Sequence, residues 1–125
     1  MKNDHIQLAI PENLEPICRD FWTAILGFEE LIKPAALRAR GGAWFRRWDV
    51  EVHLGVEKNF HPARKAHPAF AIAEIKALAI ALRAKDHPVL WDTSIENRRR
   101  FFSTDPVGNR IEFMEERVKT EMDGF

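Results

Sequence analysis

The chain has little of several things, and each scarcity excludes a class of protein. Its 125 residues contain one cysteine, Cys18, so no disulfide can form within the chain. No apolar run approaches the roughly 20 residues that a membrane-spanning helix needs. The 19 basic and 19 acidic residues balance, which argues against a general nucleic-acid or anionic-membrane binder. Because Met1–His5 leads into a short strand rather than the apolar core of a signal peptide, we expect a cytoplasmic protein.

The chain contains the same pattern of predicted strands and helix twice. Residues 5–10 and 67–72 each have the character of a short strand that begins with a histidine. Each is followed by a helical stretch and by further strand-like segments, of which the last are 51–56 and 110–115. A unit of about sixty residues is too small to bury a core alone. We therefore expect a single domain over 1–125, with module one at 4–57, a linker at 58–66 and module two at 67–116.

Hydrophobic spacing predicts the same order of elements, βαβββ, in both modules. Apolar residues at helical spacing predict one helix around Leu14–Ile25 and another around Ile75–Leu82. Alternation, bulky residues and turn signals predict the strands: 4–10, 28–32, 40–48, 51–56, a strand beginning at His67, 88–91, 99–104 and 110–115. Asp105–Asn109 is predicted to be a turn, since Pro106 presets the backbone and Gly108 takes a positive φ. The polar tail after Arg117 is predicted to be frayed or helical.

Several segments resemble the vicinal oxygen chelate superfamily over about residues 4–116. They are His5–Ala9, Phe21–Phe28, Glu51–Val56, His67–Phe70 and Asp105–Phe113. The superfamily contains glyoxalase I, extradiol dioxygenases, methylmalonyl-CoA epimerase, and the fosfomycin and bleomycin resistance proteins. The resemblance implies an α+β fold in which paired βαβββ modules form a curved, open, barrel-like sheet of eight strands with the helices outside. It also implies a homodimer, because related chains cover the sheet edges and cup rims with a second chain.

The resemblance implies metal ligands at His5, His67 and Glu112. Two histidines and one carboxylate leave open positions, as in many catalytic metal sites. His53 lies where glyoxalase I often has glutamate, so it is a candidate fourth ligand, a group behind the ligands or a general base. We therefore name His5, His67, Glu112 and His53 as metal candidates, and Glu112 and His53 as catalytic candidates.

Strand alternation supports one shared face for these residues, independently of the resemblance. Ile111 and Phe113 flank Glu112, just as Val52 and Leu54 flank His53, so the apolar neighbours point to the opposite side of the sheet. A structural role is the alternative for each residue. His5 could cap a sheet edge, His67 could be a turn residue before Pro68, and Glu112 could pair with Arg110 or Arg46.

Together these features predict a metal-dependent enzyme of lyase or isomerase type. Its small-molecule substrate would chelate a divalent ion (Zn, Fe, Ni, Mn or Co) through oxygens, and the ion would stabilise developing negative charge. One alternative is a non-catalytic small-molecule or antibiotic-binding protein like the bleomycin resistance proteins. Others are an extradiol dioxygenase, or a thiol transferase of the fosfomycin-resistance type, for which Arg98–Arg100 offers basic residues.

Overall fold

The computed structural model describes residues 1–117, so the predicted frayed or helical end after Arg117 lies outside the described residues. Module one contains four strands and two short α-helices. They are β1 (Ile6–Ile10), α1 (Glu15–Asp20), β2 (Glu29–Leu31), α2 (Ala35–Arg38), β3 (Ala43–Arg47) and β4 (Val50–Val56). The strand order is β1-β4-β3-β2, in which β1 pairs parallel to β4 and the other pairs are antiparallel.

Module two repeats the arrangement of strands, with one α-helix in the part of the chain described. Its elements are β5 (Ala69–Ile72), α3 (Ile75–Ala84), β6 (Leu90–Asp92), β7 (Arg100–Thr104) and β8 (Arg110–Glu115). The strand order is β5-β8-β7-β6, again with one parallel pair, β5 with β8. The predicted α+β class with paired βαβββ modules is confirmed, and the eight strands are divided between two sheets of four.

Local differences from the predicted elements have local causes. β1 and β5 begin after His5 and after Pro68, so both histidines lie just outside the strands. The segment predicted as a strand over 40–48 is shorter, because α2 precedes it and Gly41 and Gly42 both have positive φ. At Gly42 a Cβ atom would lie 2.0 Å from the carbonyl oxygen of Leu54, so this close approach requires glycine.

The first helix ends in a wider turn that the sequence did not predict. Residues Phe21–Ile25 form a π-helical turn that continues from α1. The Leu26 amide donates to the carbonyl of Phe21, five residues earlier. This turn places Trp22 in the centre of the protein, where its side chain is fully buried.

One continuous core joins the two modules. The Trp22 ring packs on Phe45 of module one and edge-on against Phe70 of module two. Helix α3 buries its predicted face, Ile75, Leu78, Ala79 and Leu82. Val52, Leu54, Ile111 and Phe113 are buried on the core side of their sheets. The predicted alternation is therefore confirmed, and the opposite face of each sheet, which we call the cup face, carries the polar candidates.

A buried polar network adds a second connection between the modules. Asn109, in the turn between β7 and β8, donates from Nδ2 to the Ala9 carbonyl of β1 and to Asp105, both at 2.9 Å. Its Oδ1 accepts from the Ala63 amide of the linker at 3.0 Å. The Asp105–Asn109 turn thus holds β1, the linker and module two together.

Candidate metal centre

Two of the four candidates meet on the cup face of module two. Glu112 lies on β8, and His67 immediately precedes β5, which runs beside it. The Glu112 amide donates to the Pro68 carbonyl at 3.0 Å, which brings the start of β5 against this part of β8. As a result His67 Nε2 lies 3.1 Å from Glu112 Oε1.

The hydrogen bond on the other side of the His67 ring determines what Nε2 can do. His67 Nδ1 lies 2.9 Å from the Lys65 carbonyl oxygen, which can only accept, so Nδ1 carries the proton. In a neutral imidazole Nε2 then presents a lone pair to the carboxylate oxygen of Glu112. Two acceptors in contact need a proton or a cation between them. This donor set therefore fits a divalent metal ion, for which neutral imidazole and carboxylate are common ligands.

Arg100 holds the second oxygen of Glu112. Its Nη1 donates to Glu112 Oε2 at 2.9 Å, and its Nη2 donates to Asp92 Oδ1 at 3.1 Å. Burial raises the pKa of the Glu112 carboxyl, but its polar contacts, of which the one with Arg100 is the strongest, outweigh burial and hold that pKa below its usual range. Glu112 is thus ionised and fixed in orientation, with Oε1 left to face His67.

The Arg98–Arg100 stretch, considered for anion binding on sequence grounds, is engaged within the chain. Arg100 reaches the cup face, but its charge is compensated by Glu112 and Asp92. Arg98 donates to the Glu115 carbonyl, and Arg99 pairs with the Glu115 carboxylate at 2.7 Å. Arg98 and Arg99 therefore connect the start of β7 to the end of β8.

The other two candidates, His5 and His53, meet on the cup face of module one. Their rings stack with centroids 4.0 Å apart and planes inclined by 15°. Trp44, opposite His53 in the pairing of β3 with β4, stacks on His53 with its centroid also 4.0 Å away. In-plane lone pairs of two nearly parallel rings do not converge, so His5 and His53 in this arrangement cannot both bind one ion at about 2.0–2.1 Å.

Glu51 fixes the orientation of His53. Glu51 Oε2 lies 2.7 Å from His53 Nε2 and accepts its proton, while Glu51 Oε1 accepts from Arg46 at 2.7 Å. These bonds, from His53 first and then Arg46, lower the pKa of the Glu51 carboxyl. In the neutral imidazole the free lone pair of His53 is therefore on Nδ1. His5 has the opposite tautomer, since its Nδ1 donates to Asp4 at 2.8 Å and the lone pair of the neutral ring is then on Nε2.

Within one chain the candidates form two pairs. Residues 1–117 contain no group of three or more His, Cys, Asp or Glu side chains that could hold a metal ion. The convergence of His5, His67 and Glu112 on one ion thus stays a prediction. Sequence reasoning did not find Glu51 or Asp92, and it offered Arg100 only as one of three consecutive arginines. Glu51 could have been found, because it lies two residues before His53 and strand alternation therefore puts both side chains on the same face of β4.

The comparisons agree with this architecture. A glyoxalase family protein from Bacillus anthracis is 42% identical, with a TM-score of 0.86 over 94% of this chain and 100% of that one. A glyoxalase/dioxygenase from Nostoc punctiforme is 22% identical, with a TM-score of 0.76 over 94% of this chain and 92% of that one. The fosfomycin resistance protein FosX from Listeria monocytogenes is 14% identical, with a TM-score of 0.75 over 94% and 95% of the chains. At these lower identities the last two show the fold alone.

The 42% identity to a glyoxalase family protein over nearly the whole chain places the protein in the vicinal oxygen chelate superfamily, and the paired modules agree with this. More narrowly, the chain belongs to the glyoxalase family. No family model matches the chain, and neither does any curated protein. Among the described residues no helix is long and apolar enough to cross a membrane.

Proposed function

We propose that this protein is a metal-dependent enzyme that acts on a small molecule offering two neighbouring oxygens to a divalent ion. The contact between His67 Nε2 and Glu112 Oε1 carries the proposal, because two acceptors 3.1 Å apart need a proton or a cation between them, and a divalent ion fits this pair of ligands. Imidazole with one carboxylate suits Zn, Fe, Ni, Mn or Co. A protein that merely sequesters a small molecule needs no such pair.

The third ligand in this proposal is His5 of the partner subunit in a homodimer. Within one chain His5 stacks on His53, and the described residues supply no third ligand to His67 and Glu112. A twofold interface uses the same surfaces on both chains. A dimer that places module one of one chain against module two of the other would therefore complete both sites at once.

The bound ion would act as a Lewis acid on a substrate oxygen. His53 of the partner subunit, which stacks on that His5, is the proton acceptor of this site, at Nδ1, because its Nε2 proton is held by Glu51 of the same chain. The ionised Glu51 stabilises the imidazolium that forms. Trp44 fixes the plane of the His53 ring. This assignment makes His53 a base rather than a fourth ligand and supports lyase or isomerase chemistry, which begins with proton removal.

Calorimetric titration of tag-free protein with Mn, Fe, Co, Ni and Zn tests the metal site. Glu112→Gln, His67→Gln and His5→Gln should each lower affinity by about tenfold or more, since each removes one ligand. His61→Gln is the matched control, because His61 is exposed and bonds only to the Asn59 carbonyl among the described residues. If no ion binds the wild-type protein more tightly than about 1 mM, roughly 4 kcal/mol, the proposal is wrong and the binding-protein alternative is favoured.

Mixing two variants that each lack one of the proposed metal ligands tests whether the site is shared between two chains. His5→Gln and Glu112→Gln, unfolded and refolded together, should pair at random, so about half of the dimers are mixed and each mixed dimer has one intact site. Metal content should then recover to about one quarter of the wild-type value. Metal content no higher than that of the separate variants, or a monomer mass by light scattering at micromolar concentration, contradicts the shared site. Cytoplasmic location stays a prediction.

A further inference from the structure

Three arginines lie on the two cup faces, and they differ in their partners. Arg46 pairs with Glu51 at 2.7 Å. Arg100 pairs with both Glu112 and Asp92. Arg110 makes no salt bridge within residues 1–117, and its side chain reaches only the Arg64 carbonyl, at 3.4 Å. Its charge is therefore available on the cup face.

Arg110 is also held beside the candidate metal centre. It lies two residues before Glu112 on the same face of β8, about 7 Å along the strand. Its guanidinium carbon lies 4.1 Å from the centre of the Phe102 ring. Phe102 is opposite Glu112 in the pairing of β7 with β8, and His67 approaches it edge-on. A guanidinium stacked on an aromatic ring keeps its in-plane N–H groups free for a planar or tetrahedral anion.

Module one also carries positive charge without a carboxylate partner, beside His53. A pocket of about 230 Å³ beside His53 is lined by Gln7, Trp44, Lys33 and Arg40. Lys33 donates to the Gly41 carbonyl, and neither Lys33 nor Arg40 contacts a carboxylate in the part of the chain described. Both halves of the proposed shared cup thus present cations without a carboxylate.

We propose that Arg110 binds an anionic group of the substrate, so the substrate class is a small molecule with metal-chelating oxygens and a separate carboxylate or phosphate-type group. This inference rests on the proposed function and adds the substrate's charge to it.

Two matched pairs of compounds test the inference on Mn-loaded protein by calorimetry. Catechol and 3,4-dihydroxybenzoate differ by a carboxylate, and dihydroxyacetone and its phosphate differ by a phosphate, so the pairs separate the two kinds of anion. In the wild-type protein at least one charged compound should bind about tenfold more tightly than its neutral partner. Arg110→Met should abolish this preference and leave Mn affinity unchanged. Arg83→Met, at an exposed position on α3, should keep it.

A wild-type protein without preference for either charged compound overturns the inference, as does a preference that survives in Arg110→Met. If Arg110→Met fails to fold, Arg110→Gln takes its place, with the same expected loss. If the wild-type protein binds no metal, the proposed function fails, and inorganic phosphate is then titrated into metal-free protein. Phosphate binding that is lost in the Arg110 variant supports the anion site. Binding that is absent in the wild type or equal in the two proteins overturns it.

Discussion

Replacement of Asn109 by alanine should cost a large share of the protein's stability. The Asn109 side chain makes three hydrogen bonds, which reach Ala9 of β1, Ala63 of the linker and Asp105 of its own turn. Asn109 and Asp105 are each only 2% exposed, so water cannot readily replace the lost amide. The substitution therefore leaves two backbone groups and one carboxylate oxygen without this partner.

The size of the effect follows from those three groups. Each buried polar group that loses its partner costs about 1–3 kcal/mol, and partial relaxation of the turn reduces the sum. We expect a loss of about 3–5 kcal/mol, which is a third or more of the stability of a typical domain. With a urea m-value of about 2 kcal/mol/M, the unfolding midpoint should fall by about 1.5–2.5 M.

Urea unfolding, followed by tryptophan fluorescence and by circular dichroism, measures this change. Asn3→Ala, at an exposed position before β1, is the control and should leave the midpoint unchanged. A midpoint shift below about 0.5 M at constant m-value would refute the reasoning, because it would mean that the network between the modules contributes little.

Two further predictions concern buried side chains. Burial, together with the charges of Asp105 and Glu15, raises the pKa of the Cys18 thiol to about 12, whereas the unfolded chain loses this proton near pH 8.5. The free energy of unfolding should therefore fall as pH rises from about 8.5 towards 12, by up to about 1.4 kcal/mol per pH unit. Urea unfolding at several pH values should show a shallower fall in Cys18→Ala. An equally steep fall in the wild type and in Cys18→Ala would contradict this. The buried indole N–H of Trp22 has no hydrogen-bond partner within residues 1–117, so Trp22→Phe should lower the melting temperature much less than Trp22→Ala, which should cost about 3–5 kcal/mol. Similar losses in the two variants would contradict this.

The repeat and the inward faces of its strands could be predicted because apolar and polar residues alternate along a half-buried strand, and this alternation is visible in the sequence. Val52 and Leu54 around His53, and Ile111 and Phe113 around Glu112, identify the buried side without any knowledge of contacts. The histidines that open each module were predicted within strands, but both lie just before them, ahead of β1 and β5. The π-helical turn at Phe21–Ile25 could not be predicted, because its hydrogen bonds depend on where Trp22 packs.

The partners of the site residues were harder to predict. Arg100 on β7 contacts Glu112 on β8 and Asp92 on β6. Its role therefore depends on the register of all three strands. Three consecutive arginines gave no reason to single out that one. The repeat also does not encode which module faces which, and His5 therefore could not be assigned to its own chain or to another.

The continuous core and the Asn109 network have a consequence for motion. Trp22 contacts both modules, and Asn109 ties β1 to the turn that precedes β8, so the two cup faces of one chain keep a fixed separation. Hinge closure between modules, a common way to enclose a ligand, would break both connections. If the proposed dimer opens to admit and release a ligand, we therefore expect a rigid-body rotation of one whole chain against the other.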